Sequence, residues 1–418
     1  PTLMWHIDHM TTGFSELGQT WSQPKVGYSA LNIDGVPKPV LFFGAGYSTI
    51  KDNSGVGADD LTGRGIYMVD AETGALKWSL TPNAQSATNT HFVGVDSIPS
   101  RISILDSDSD GLVDRLYAGD TGGNVWRIDM PGATPNSGTT PWTAIKLASL
   151  GGNTNLTDRR FFSRPVLARA SITQTVKTET VDANGISTFT LDQYDKPFDA
   201  VLIGSGDRTN PLGTDTDDKF FMIKDELITT QSLTGGNVPA VIVIGDLKDY
   251  TSNPLEGVAD KLKNNDPSDP LTTQEEADLL DATAKSGWYI NFDGDGEKSM
   301  ASGAVVAGVA YFNSFTPAST MQVNSCNLSE GAGALYAVHL SLGTNIYNWR
   351  KLIISEANPP GDSTFITIKD PNADHSDPTN PPPKNFAVIA PDVLLLRDAN
   401  KNVGIKIETS RTYLYVTE

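Results

Sequence analysis

Short runs of alternating apolar and polar residues, each closed by a glycine-containing turn, dominate the chain. Residues 65–78 read Gly-Ile-Tyr-Met-Val-Asp-Ala-Glu-Thr-Gly-Ala-Leu-Lys-Trp, and residues 115–126 read Arg-Leu-Tyr-Ala-Gly-Asp-Thr-Gly-Gly-Asn-Val-Trp. A third copy at 334–349 opens Ala-Leu-Tyr-Ala-Val-His and closes Tyr-Asn-Trp. Each predicts the same unit: a half-buried strand around Tyr67, Tyr117 or Tyr336, a turn, and a partner strand ending in Trp78, Trp126 or Trp349. The opening Leu3-Met4-Trp5 reads as the end of another such hairpin. A second recurring element, an apolar strand followed by small residues, occurs at 40–46 and 201–206. Both contain Gly-x-Gly, but Thr49 and Thr209 stand where a dinucleotide-binding loop needs its third glycine, and no helical pattern follows. Glycines at the point where a strand leaves a crowded sheet account for them better.

Two stretches break this rhythm. Within 250–286, Thr272-Thr273-Gln274-Glu275 is a capping box followed by a helical pattern. Residues 358–385 are rich in Pro, Asp and Asn and predict a long surface loop. With these set aside, repeated hairpins at roughly 40–50 residues per four-stranded unit predict an all-β fold. The architecture expected is a modified β-propeller of about seven blades, with a short helical insertion and long surface loops. It is read as a single domain over 1–418, with insertions at 250–286 and 358–385. The 38 Gly and 25 Pro suit many turns, and 19% charged residues do not suit a coiled coil.

Charge narrows the partners. With 31 Lys+Arg against 50 Asp+Glu the formal charge is −19, which argues against nucleic acid as a partner. The single cysteine, Cys326, excludes an internal disulfide and a cysteine-based zinc site. No apolar run is long enough to span a membrane. The chain starts Pro1-Thr2-Leu3-Met4 and is read as part of a longer protein. Five scattered histidines, and the absence of a nucleophile elbow, a phosphate-binding loop or a His-Glu-x-x-His motif, leave no active site in view. The expectation is a protein that is not an enzyme.

The strongest chemical signal is Asp106-Ser107-Asp108-Ser109-Asp110-Gly111-Leu112-Val113-Asp114. Asp at positions one, three and five, Gly at six and Asp at nine reproduce the first nine residues of an EF-hand loop. Alternate side chains of a tightly curled loop converge on one point, and Gly111 permits the sharp turn. The expected ligands are Asp106, Asp108, Asp110, the Leu112 carbonyl and Asp114. Position twelve is Tyr117 rather than Glu, so Asp114 has to close the shell. Hard oxygen donors in a flexible loop favour Ca2+ over Mg2+. Flanking strand patterns place the loop inside a β-hairpin rather than between helices. A weaker echo, Asn291-Phe292-Asp293-Gly294-Asp295-Gly296, has the spacing but lacks the first Asp and has Ser299 at nine.

The calcium loop and its surroundings resemble one family. Ser97-Ile98-Pro99-Ser100 leads into it, and Asp114-Arg115-Leu116-Tyr117-Ala118-Gly119-Asp120-Thr121-Gly122-Gly123-Asn124-Val125-Trp126-Arg127-Ile128-Asp129 follows. This segment is similar to the C-terminal domain of the PilY/PilC family of type IV pilus biogenesis and tip-adhesion proteins. Thr20-Trp21-Ser22-Gln23-Pro24, Arg159-Arg160-Phe161-Phe162, Gly204-Ser205-Gly206-Asp207-Arg208, Gly287-Trp288-Tyr289-Ile290 and Phe315-Thr316-Pro317 match in the family's order. The resemblance covers most of 1–350. It implies a propeller with one calcium loop, whose occupancy regulates pilus extension against retraction. It also implies pilin or minor pilin subunits and pilus assembly proteins as partners, with any host-surface contact on variable loops. The implied location is extracellular, at the pilus tip or outer-membrane surface. An Arg-Gly-Asp motif known in some members is absent here. Two alternatives stay open. The hairpin of 67–78 also resembles the blade repeat of quinoprotein (PQQ) dehydrogenases, and a host-binding adhesin would keep calcium only as a staple.

Overall fold

The structure is a computed structural model of the chain. It describes residues 3–181, 187–258, 261, 266, 268–318, 331–347, 349–355, 364–368, 385–389 and 404–406. The first sheet contains β1 (Lys25–Asp34), β2 (Val36–Gly44), β3 (Ile66–Asp70), β4 (Leu76–Thr81) and β5 (Asn89–His91), in that order. A short helical turn, α1 (Lys51–Ser54), lies between β2 and β3. The first four strands are antiparallel and β5 lies parallel on β4. The second sheet follows with β6 (Ser103–Leu105), β7 (Arg115–Gly119), β8 (Asn124–Asp129) and β9 (Thr143–Ser149).

The third sheet opens with β10 (Val166–Val181), β11 (Ser187–Gly204) and β12 (Lys219–Asp225). Two very short strands, β13 (Ile242–Val243) and β14 (Lys248–Asp249), precede helix α2 (Thr273–Ala284) and β15 (Gly287–Asn291). β15 completes the third sheet beside β12, with β14 parallel on it, while β13 reaches back to lie parallel on β9 of the second sheet. The fourth sheet is β16 (Ala304–Val306), β17 (Val309–Pro317), β18 (Gly331–His339) and β19 (Lys351–Ser355). The fifth is β20 (Thr364–Ile368), β21 (Asn385–Ile389) and β22 (Gly404–Lys406).

The period-two pattern explains how these sheets stack. In β7, Leu116 and Ala118 face the first sheet, while Tyr117 faces the third. In β11, Ala200 and Leu202 pack toward the fourth sheet, and Val201 and Ile203 toward the second. β12 repeats this, with Phe220 and Met222 on one side and Phe221 and Ile223 on the other. Each interior sheet is thus buried on both faces, as in successive propeller blades. The outer face of the first sheet is covered by Phe14 and Leu17, and that of the fourth by Tyr347 and Trp349. Stacked rings of Phe220 and Phe312, 3.7 Å apart, join the third sheet to the fourth, and Phe312 stacks in turn on its cross-strand neighbour Tyr336 within the fourth, 4.7 Å apart.

Three expectations need adjustment. The described residues form five sheets, where length arithmetic gave about seven blades. Individual sheets consume more chain than the average blade, because β10 and β11 pair in register from Val166↔Leu202 to Val181↔Ser187 and a long excursion precedes β15. Next, the three look-alike hairpins do not occupy one position. The hairpin of 65–78 forms the third and fourth strands of its sheet, and that of 115–126 the second and third. Trp78 and Trp126 consequently point into the same layer from opposite sides, and Trp349 falls just before β19 rather than within it. Finally, the 358–385 stretch contains strand β20, because Thr364-Phe365-Ile366-Thr367-Ile368 is a β-branched and aromatic run inside a Pro-rich average. Of that stretch, 358–363 and 369–384 lie outside the described residues.

The helix stands where its capping box predicts. Thr272 Oγ1 accepts the Glu275 N–H at 3.2 Å, and Glu275 accepts the Thr272 N–H at 2.7 Å. At the other end Lys224 of β12 donates to the carbonyls of Ala282 (2.6 Å) and Lys285 (3.1 Å), tying α2 to the third sheet. Burial of that amine pushes its pKa down to about 8. No helix among the described residues is long and apolar enough to cross a membrane.

Candidate metal centre

The nine residues from Asp106 to Asp114 connect β6 to β7. The hairpin closes on the Leu105↔Arg115 pair and on a hydrogen bond from Asp114 N–H to the Leu105 carbonyl, 2.9 Å. Short polar side chains then organise the loop from within. Asp106 accepts the N–H groups of Ser109 (2.7 Å), Asp110 (3.2 Å) and Gly111 (2.9 Å). Asp114 accepts both the N–H (2.6 Å) and the hydroxyl (2.7 Å) of Ser107. Gly111 has φ +87°, the left-handed conformation expected of the turn, and Ser109 has φ +65°. A Cβ at Gly111 would touch nothing within 4 Å, so backbone conformation rather than space asks for glycine there.

This construction gathers three carboxylates. Oxygens of Asp106, Asp108 and Asp114 all lie within 4.8 Å of one another, with Asp106 and Asp108 exposed and Asp114 half-buried. It is the only such group of metal-ligating side chains among the described residues. Asp110 is not gathered with them; its carboxylate accepts the Leu112 N–H at 2.7 Å. Three anionic oxygens at the end of a hairpin are a donor set that fits a hard divalent cation.

The echo at 291–297 is built differently. Gly296 makes a left-handed turn, φ +66°. Buried Glu297 then takes the organising role, accepting from Gly294 N–H (2.9 Å), Tyr336 Oη (2.9 Å), the Ser314 hydroxyl and Lys351 Nζ (2.6 Å). A carboxylate paired in this way serves the joint of the third and fourth sheets. At the N-terminal end, His6 Nδ1 lies 3.9 Å from Asp8, whose carboxylate is engaged with Met10 and Thr11.

Comparison with known proteins bears on both the fold and the loop. The family described as PilY1 beta-propeller domain matches residues 9–151, which span the first two sheets and the whole acidic loop. The PilY1 homolog named as a type IV pilus biogenesis factor in Xylella fastidiosa is 23% identical over 312 residues, 72% of this chain and 18% of that protein. The crystal structure of the Pseudomonas aeruginosa PilY1 C-terminal domain superposes with a TM-score of 0.51, covering 93% of this chain and 74% of that one. Over residues 9–151 the chain is similar to the PilY1 beta-propeller domain.

At 15% identity, the structural match speaks for the PilY1 propeller fold alone. The type IV pilus biogenesis factor PilY1 of P. aeruginosa UCBPP-PA14 is 28% identical over 134 residues, 32% of this chain and 10% of that protein. The chain therefore spans between a tenth and a fifth of the length of these PilY1 relatives.

The residue after the loop, Arg115, enters a buried ionic network that local sequence reasoning missed. Arg115 and Arg127, both fully buried, sit on adjacent strands, with Arg115 paired opposite Asp129 and Tyr117 opposite Arg127. Arg115 meets Asp199 at 2.9 Å and donates to the carbonyls of Leu227 (3.3 Å) and Ile228 (2.8 Å). Arg127 grips Asp129 (2.7 Å) and Asp225 (2.8 Å) and donates to Leu227 and Thr229 carbonyls at 2.6 and 3.1 Å. Tyr117 donates to Asp225 at 2.7 Å; burial, with the Asp225 charge, holds its hydroxyl protonated well above the ordinary range. Buried charges persist only when paired. The available signal was the alternation Arg115/Tyr117 and Arg127/Asp129 in strands otherwise apolar. Segment 227–229, strapped down by both arginines, continues to Thr230, whose hydroxyl reaches Ser107 of the acidic loop at 3.0 Å.

Proposed function

We propose that this chain is the calcium-binding propeller of a type IV pilus biogenesis factor, acting by binding partners rather than by catalysis. The observation that carries the calcium reading is the convergence of Asp106, Asp108 and Asp114 at the tip of the β6–β7 hairpin. Similarity to the PilY1 beta-propeller domain over residues 9–151 supports the pilus assignment, since the relatives matched are named as type IV pilus biogenesis factors.

In this reading Asp106, Asp108 and Asp114 hold Ca2+, and Asp110 and the Leu112 carbonyl complete the shell once the loop tightens. The ion supplies positive charge that offsets the mutual repulsion of the carboxylates. The loop's own residues then do the rest. Asp114 fixes Ser107, and Ser107 contacts Thr230 at the end of a segment pinned by Arg115 and Arg127. Occupancy would thereby be felt on the surface formed by 227–231, and we propose that it biases pilus extension against retraction. Pilin or minor pilin subunits and assembly proteins are the implied partners, met outside the cell at the pilus tip or outer-membrane surface.

The test is a calorimetric calcium titration of chelator-treated protein. One site in the range of about 10⁻⁷–10⁻⁵ M is expected for a regulatory loop. Absence of binding would leave the three carboxylates as a solvated acidic turn.

A further inference from the structure

A second site lies away from the acidic loop, where the segments leading into four sheets converge. Trp21 precedes β1, Arg101 precedes β6, Arg164 precedes β10 and Ser302 precedes β16, and all four line one cavity of about 80 Å³. Arg208, beyond the end of β11, completes the wall. The likeness of these segments is visible in sequence: a serine stands three residues before the first strand of each of the first three sheets (Ser22, Ser100, Ser163) and two before that of the fourth (Ser302). Repetition around the fold therefore brings equivalent positions together.

The chemistry of the lining is unlike the rest of the molecule. Three arginines and three serines line the cavity, and none of its nine lining residues is acidic, in a chain of net charge −19. One wall is aromatic. Trp21 is half exposed and stacks on buried Tyr47, ring centroids 5.0 Å apart and 14° from parallel, and lies 6.0 Å from Phe162. Lys25, the first residue of β1, is pushed below its ordinary pKa by burial and by the charges of Arg164 and Arg101, which marks the surroundings as electropositive.

We propose that this cavity binds an oxyanion, a carboxylate or a phosphate group, on a ligand whose body lies against Trp21. Planar guanidinium forks match both groups, and several of them converging with hydroxyl donors would hold one at a fixed place. The aromatic wall favours a group carried on an apolar or planar body over a bare ion. The site shares no residue with the acidic loop and does not rest on the calcium reading.

Calorimetric titrations at constant ionic strength, one with inorganic phosphate and one with sodium benzoate, test the proposal. A single saturable site for at least one of them is expected, weakened tenfold or more in both Arg208→Gln and Arg101→Gln. Arg208 is exposed, so R208Q keeps the test valid should R101Q fail to fold. Tighter phosphate binding would assign the site to phosphoryl groups, and tighter benzoate binding to carboxylates. No saturable heat with either probe, or unchanged affinity in R208Q, would overturn the proposal. As a second readout, the preferred anion should raise the melting temperature of the wild-type chain and not that of R208Q.

Discussion

The hydroxyls of Ser107 and Thr230 lie 3.0 Å apart although 123 residues separate them. Ser107 belongs to the acidic loop and is fixed by Asp114, while Thr230 ends a segment whose carbonyls are held by Arg115 and Arg127. A loop at the tip of one sheet is thus tied to a strap that leaves the next. Substituting Thr230 by Val removes the hydroxyl with little change of volume. Hydrogen exchange at 227–231 should then become insensitive to calcium, while calcium affinity changes by less than about threefold. Unaltered calcium dependence of exchange would show that the strap does not sense the loop.

Asp106→Ala and Asp114→Ala should each abolish calcium binding. Asp106 also satisfies three loop N–H groups, so its loss is expected to cost on the order of 1–2 kcal/mol of stability without the ion. Asp110→Ala separates two geometries. Affinity weakened tenfold or more would mean that Asp110 swings into the shell on binding, and wild-type affinity would mean that the gathered trio suffices.

Chelation should leave the β circular dichroism intact, because the sheets are held by inter-sheet cores that exclude the loop carboxylates. The melting temperature should rise with added calcium, by an amount equivalent to about 2.7 kcal/mol at a hundredfold excess over Kd. Loss of β structure on chelation would contradict a loop that is peripheral to the core.

Arg127→Met should destabilise the chain by about 3–5 kcal/mol, since Asp129 and Asp225 would be left buried with one partner fewer. A double-mutant cycle with Asp225→Asn isolates the pair, and a coupling near zero would remove the network from the account of stability.

Asp218 makes a pH prediction of definite sign. Burial raises its carboxyl to about 6, against the hydrogen bond from Ser205 and the charges of Lys298 and Arg159. Its folded pKa stands above the unfolded value, so the folded state holds the proton more tightly between about pH 4 and 6. This residue's contribution to stability is therefore present at low pH and is lost as pH rises through that window. Asp218→Asn should stabilise the chain at pH 7 by on the order of 1–3 kcal/mol and leave stability near pH 4 unchanged. Equal effects at the two pH values would refute the raised pKa.

Much of this protein was readable from local sequence. Period-two alternation fixed which residues of β7, β11 and β12 are buried, because a strand must send successive side chains to opposite faces. The Thr272/Glu275 box placed α2, and the Asp-x-Asp-x-Asp-Gly spacing placed the left-handed turn at Gly111, because both act through hydrogen bonds and dihedrals a few residues apart. Local rules could not say which sheets face each other. That decision seats Trp78 and Trp126 in one layer and gives Arg127 its partner Asp225 from 98 residues away. It also brings Arg101, Arg164 and Arg208 to one cavity. Buried and clustered charges take their meaning from what desolvates and neutralises them, and across stacked sheets those groups come from distant parts of the chain.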